Sequence, residues 1–172
     1  MDGKPKITRR GFVAASALAG AAAETLGAQQ AEFFSADNAK LAAALADTII
    51  PPDDEWPGGA EAGVVSYLEK QLRGPLSRFA PLYLIGLPAL DATALRLAGK
   101  SFPDLSPDER TALLQQFEKG EAEGPEWPDF SAQTFLARAV EHAMQGFYGA
   151  PHHGGNRGGV SWRMLGIMDV MH

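Results

Sequence analysis

Apolar side chains recur at helical spacing in five separate stretches of this chain, and loops rich in proline and glycine divide them. That pattern constrains the fold most. A period of about 3.6 residues places the apolar set on one helix face, whereas a half-buried strand needs strict alternation. In the first stretch Leu41, Ala42, Leu45, Ala46, Ile49 and Ile50 share a face. Ser35 is placed to cap it, and Pro51-Pro52 ends it because the residue before a proline is pushed out of the helical region. The second covers about Ala62 to Leu72, with Val64, Val65, Leu68 and Leu72 inward and Gly74 as the stop. The third runs from near Pro81 to Ala98 and carries Leu82, Ile85, Ala89, Ala92, Leu95 and Leu97. Pro88 inside it predicts a kink or a division.

Local signals are clearest in the fourth stretch. Ser106-Pro107-Asp108-Glu109 offers a capping serine, a proline at the first helical position and a glutamate that closes a capping box. Leu113, Leu114 and Phe117 follow on one face, and Gly120 ends the helix. The fifth, from about Ser131 to Gly146, presents Phe135, Leu136, Ala139, Val140 and Ala143. No stretch alternates with period two. The expectation is an all-α fold: a single compact helical domain of about five helices over residues 29–172, closed by a glycine-rich C-terminal loop.

The chain has no cysteine. Its core therefore relies on packing without disulfides, and thiolate-held iron–sulfur clusters and covalently attached c-type haem are excluded. Formal charge is −6, and removing residues 1–28, which hold four basic and two acidic side chains, leaves −8. So acidic a body argues against nucleic-acid binding, which needs a basic stripe, and against docking on anionic lipid.

Residues 1–28 have the composition of an export signal. Lys4, Lys6, Arg9 and Arg10 form a basic n-region. Phe12 to Ala23 is uncharged and rich in alanine, and too short for a spanning helix of about 20 apolar residues. Small residues at Ala21-Ala22-Ala23 and Leu26-Gly27-Ala28 offer cleavage sites. The arginine pair in Thr8-Arg9-Arg10-Gly11-Phe12-Val13 resembles a twin-arginine signal, which implies export of an already folded chain to the periplasm by the twin-arginine translocase. The alternative is a basic tail before an alanine-rich helix.

From Gly146 to Gly159 the chain is too rich in glycine for a helix, and Phe147, Tyr148 and Trp162 can pin such a loop to the body. A loop of this kind reads either as a binding or docking element or as a terminal closure over the bundle. Chemical candidates are sparse. The histidines are His142, His152, His153 and His172, with no His-x-x-x-His or Glu-x-x-His pair on a helix. His142 reads as a partly buried or surface residue, and His152-His153 as exposed loop histidines. Asp53-Asp54-Glu55 lacks the alternating donors of a calcium loop and reads as a solvated turn. No Gly-x-Ser-x-Gly occurs, and Gly154-Gly155-Asn156-Arg157-Gly158-Gly159 matches neither a dinucleotide fingerprint nor a P-loop. No self-sufficient catalytic site is legible.

Several blocks together resemble one family. Leu45-Ala46-Asp47-Thr48-Ile49-Ile50-Pro51, the acidic Pro/Gly loop and Glu61-Ala62-Gly63-Val64-Val65-Ser66-Tyr67-Leu68 are similar to the N-terminal half of the gluconate 2-dehydrogenase subunit 3 family. Phe147-Tyr148-Gly149 and the run from Gly154 through Trp162 to Gly166 resemble its C-terminal signature. The resemblance implies a non-catalytic small subunit of a periplasmic dehydrogenase complex that oxidises a sugar, sugar acid or alcohol. It implies no cofactor in this chain, FAD in a large partner subunit of the glucose–methanol–choline type, and in many complexes a multihaem cytochrome c subunit with haem c. The large subunit usually lacks a signal, so the small one carries both across the membrane. On this reading Arg9, Arg10 and Phe12 serve export, while Tyr148, Asn156, Arg157 and Trp162 contact the flavoprotein or brace the loop that does. The rival readings are a stand-alone exported helical ligand-binding protein and a small metalloenzyme using His152 and His153.

Overall fold

A computed structural model describes residues 32–167, among which there are six α-helices and no strand. The expected signal, with Arg9, Arg10 and Phe12, lies outside the described residues. Helix α1 (Ala36–Ile49) opens at Ser35, whose hydroxyl accepts from the Asn38 N–H at 3.2 Å. It stops where Pro51 dictates, with Ile50 already non-helical. Helix α2 (Val64–Leu72) begins after Gly63, which adopts φ 94°, and so starts slightly later than its apolar spacing suggests. Helix α4 (Pro107–Lys119) has the expected capping box. Ser106 Oγ accepts from Glu109 N–H at 3.3 Å, and Glu109 Oε2 accepts from Ser106 N–H at 2.7 Å. Those same bonds hold the Glu109 carboxyl below its usual range.

Helix α3 (Ala80–Ala98) runs on through Pro88, so of the kink or division expected there the division is absent. The proline sits on the solvent side, so the carbonyl left without an amide donor, that of Leu84, lies on an exposed turn rather than in the core. The buried face is also a different one: Tyr83, Leu87, Leu90 and Ala94 face inward with Gly86, Ala89 and Thr93, while Leu84, Ile85 and Leu95 are exposed. The reason is tertiary. Gly86 lets the helix approach the Phe135 ring so closely that an added Cβ would overlap it. Thr93 in turn accepts from Trp127 Nε1–H at 2.9 Å.

Helix α5 (Ala132–Tyr148) is the hub of the domain. It packs against all the other helices, including the short α6 (Val160–Met164) that follows the glycine-rich loop. Phe135, Ala139, Ala143 and Phe147 form its inward stripe, but Val140 is exposed rather than core. Tyr83 and Phe135 meet edge-on at 6.0 Å, and Trp127 joins Phe117 at 5.4 Å. Each fully buried aromatic of this kind contributes roughly 1.5–3 kcal/mol relative to exposure.

His142 is not a surface residue: it is 1 % exposed, with Nδ1 3.0 Å from the Tyr83 hydroxyl and Phe79 edge-on at 5.0 Å. Burial depresses its pKa; Glu141 opposes this, and Arg138 and Arg78 reinforce it. Burial likewise pushes the Tyr83 hydroxyl well above its ordinary value. The unfolded chain therefore takes up the His142 proton first as pH falls. Stability from the neutral imidazole is complete above about pH 6.5 and declines as pH drops below it. Melting temperatures from about pH 7 down to 5.5 should fall faster for the wild type than for His142→Gln, which keeps a polar partner for Tyr83 but no titration in that window.

Candidate functional site

The two segments that the sequence singles out, residues 45–68 and 147–166, meet at one place. Asp47 at the end of α1 accepts from the Ala60 N–H at 2.8 Å and so folds the Pro/Gly loop back onto α1. Gly59 lies against the Ala46 backbone, where an added Cβ would come within 2.6 Å of the carbonyl oxygen. Asp53 Oδ1 accepts from the N–H groups of Glu55 and Trp56 at 2.8 and 2.7 Å, which makes the acidic segment the solvated turn expected. This arrangement delivers Ala62, Gly63 and Ser66 at the start of α2 to the C-terminal loop.

That loop is built inward as well as outward. Gly154, at φ 110°, rests on the backbone of Ser66 and Tyr67, and Gly155 passes so near Gly146 that no Cβ fits. Lys70 Nζ donates to the His152 carbonyl at 2.7 Å and Gln71 Nε2 to the His153 carbonyl at 3.1 Å. Tyr67 closes the contact by donating to Gln145 Oε1 at 2.9 Å. Both imidazoles are left at the surface, 4.0 Å apart between centroids. Among the described residues no group of three or more His, Cys, Asp or Glu side chains is placed to hold a metal ion.

The singled-out residues divide between the inside and the outside of this loop. Asn156 is fully buried, with φ 46°, the one non-glycine residue at positive φ among those described. Its Nδ2–H donates to the Gly149 carbonyl and its Oδ1 accepts from the Ser161 N–H, each at 2.9 Å, so it ties both arms of the loop. Arg157 is exposed. Its N–H donates to the Ala62 carbonyl at 2.9 Å and its Nη2 to Ser66 Oγ at 2.8 Å, a link between residues 91 positions apart. Its stem lies over Gly63, where a Cβ would come within 2.9 Å. Trp162 is half-buried, with Nε1–H donating to the Tyr148 carbonyl at 3.0 Å. Tyr148 stands edge-on to Phe147 at 5.0 Å and is 37 % exposed. Tyr148, Arg157 and Trp162 thus present surface, while Asn156 holds the backbone that positions them.

Clefts flank the loop on both sides. One of about 500 Å³ is lined by Trp56, Glu61, Arg157 and Arg163, and another of about 310 Å³ by Tyr67, Met144, Tyr148 and His153. Arg163 donates to the Gly158 carbonyl, and neither it nor Arg157 has a carboxylate partner among the described residues. Sequence reasoning missed Tyr67 and Gln71, having placed Val65 on the inward face, where the structure leaves it only half-buried. Their spacing three and seven residues after Val64, beside Leu68 and Leu72, was the signal that could have found them.

What these segments build together is matched by one family model. Described as gluconate 2-dehydrogenase subunit 3, it matches residues 36–168 and so includes α1, α2, the glycine-rich loop and α6. No curated protein and no solved structure matches the chain. The extent of the family match, over both halves of the site and the bundle between them, places the chain in the gluconate 2-dehydrogenase subunit 3 family, a subunit of a multisubunit dehydrogenase complex.

Proposed function

We propose that this chain is the non-catalytic small subunit of a periplasmic, FAD-dependent dehydrogenase complex of the glucose–methanol–choline type that oxidises a sugar, sugar acid or alcohol. Its work is to support assembly of the catalytic flavoprotein and its export by the twin-arginine route. Substrate and flavin belong to the large subunit, and a multihaem cytochrome c subunit receives the electrons. The observation that carries this reading is the loop itself. Residues far apart in sequence converge to fix a glycine-rich backbone, and the groups it displays are an arginine and two aromatics. Those residue types concentrate binding energy at protein interfaces, and fixing them beforehand reduces the ordering cost of association.

The test is recovery of the partner. Trp162→Ala combined with Arg157→Ala should lower co-purification of the flavoprotein subunit by at least about tenfold, since each is expected to exceed about 1 kcal/mol at an interface. Unchanged recovery and export of the complex would remove the loop from the docking surface.

A further inference from the structure

Helix α3 carries a second apolar face that no other described residue covers. Pro81, Leu84, Ile85, Pro88, Ala92 and Leu95 are all exposed, with Leu84 at 45 % and Leu95 at 51 %. At about 100° per residue they fall within one stripe, opposite the face that Tyr83, Leu87, Leu90 and Ala94 bury. The charges on this helix are directed elsewhere. Asp91 Oδ1 accepts from Ser101 Oγ at 2.6 Å and from Phe102 N–H at 2.7 Å, and Arg96 pairs with Glu126 at 2.6 Å. The stripe is therefore uncharged along its length. A helix apolar on all sides belongs in a protein interior, and here only half of it has one. No described helix is long and apolar enough to cross a membrane, so lipid does not supply the missing half by a span.

We infer that the exposed face of α3 seats in an apolar groove of the catalytic flavoprotein subunit, as a second contact apart from the C-terminal loop. The inference rests on the subunit reading above. The size of the stripe argues for that occupant over a second copy. From Pro81 to Leu95 the stripe spans about 22 Å, and with a width of about 10 Å two such stripes laid together bury on the order of 450 Å². A specific interface needs roughly 1,000 Å² or more. Two copies would also bring together bodies that each carry a formal charge of −8 without residues 1–28. A groove in a larger chain encloses the flanks of the helix as well, in the helix-in-groove mode. Permanent subunit interfaces are moreover the class rich in apolar surface. Pro88 strengthens the case, because the Leu84 carbonyl that it leaves without a helical donor lies on the stripe, where a groove can supply one.

The test is co-expression of the full chain with the proposed flavoprotein subunit, followed by purification through a tag on this chain. Leu84→Glu combined with Leu95→Glu should lower recovered flavoprotein by at least about tenfold, because a charge buried in an apolar groove without a partner is strongly disfavoured. Both sites are exposed, so circular dichroism and the melting temperature should stay at wild-type values. The single Ala92→Arg variant tests the same face independently and should reduce recovery as well. If the wild type recovers the flavoprotein and these folded variants recover it equally well, the inference about α3 is wrong while the subunit reading stands. If the wild type recovers none, the subunit reading itself has failed. A wild-type dimer that Leu84→Glu/Leu95→Glu turns into a monomer assigns the face to a second copy and overturns the inference. Flotation of the wild type, but not of the variant, with phosphatidylcholine–phosphatidylglycerol vesicles does so in favour of a bilayer.

Discussion

Asn156→Ala should destabilise the domain by about 3 kcal/mol and release the C-terminal loop from its docking geometry. Three effects act together. Alanine at φ 46° places a Cβ where left-handed backbone disfavours it, at roughly 1–2 kcal/mol. The buried Ser161 N–H loses its acceptor, and the Gly149 carbonyl loses its donor, each group costing on the order of 1 kcal/mol or more when left unpaired. Asn156→Gly separates these contributions. It relieves the backbone but restores neither bond, and should fall between alanine and wild type. Urea unfolding of the full chain measures both, and an alanine variant within about 0.5 kcal/mol of wild type would show that Asn156 is not the brace. Partner recovery should fall in the same order, because Tyr148 and Trp162 depend on the backbone that Asn156 ties.

The same residue marks the limit of what the sequence disclosed. Helix α4 was legible end to end because its signals are local: Ser106, Glu109 and Gly120 act within a few positions of one another. The all-α class followed from spacing alone. The inward face of α3 did not, because leucines and isoleucine occupy both sides of that helix. Only the Phe135 ring against Gly86, and Trp127 on Thr93, decide which side turns in. Val140 and His142 reverse expectation for a related reason. Buried His142 has its partner, Tyr83, 59 positions away, and composition gives no hint of it. At the loop, the residue types were visible but their directions were not. Asn156 looked like Arg157 as a candidate contact, yet one lies inside the loop and the other outside.

Replacing Arg9 and Arg10 together by lysine should leave the dehydrogenase complex assembled but stranded in the cytoplasm. The substitution keeps the basic charge of the n-region, so attraction to the inner membrane surface is preserved. What it removes is the paired guanidinium geometry, which an ammonium group does not reproduce. If the flavoprotein depends on this chain for export, its activity is then lost from the periplasmic fraction and found inside. The compact unit that contains α1 to α6 should melt as wild type does. Periplasmic activity unchanged by the double substitution would mean that the flavoprotein has its own route out.

Isolation of the complex shows whether this chain acts through a catalytic partner. The full chain, tagged and co-expressed with the proposed flavoprotein subunit, is purified under mild conditions and assayed for bound flavin and for dye-linked dehydrogenase turnover. Both are expected in stoichiometric company with a second, larger polypeptide, and neither in the chain expressed alone. Turnover by the isolated chain, or a stable complex-free monomer from cells that contain the flavoprotein, would contradict the subunit reading.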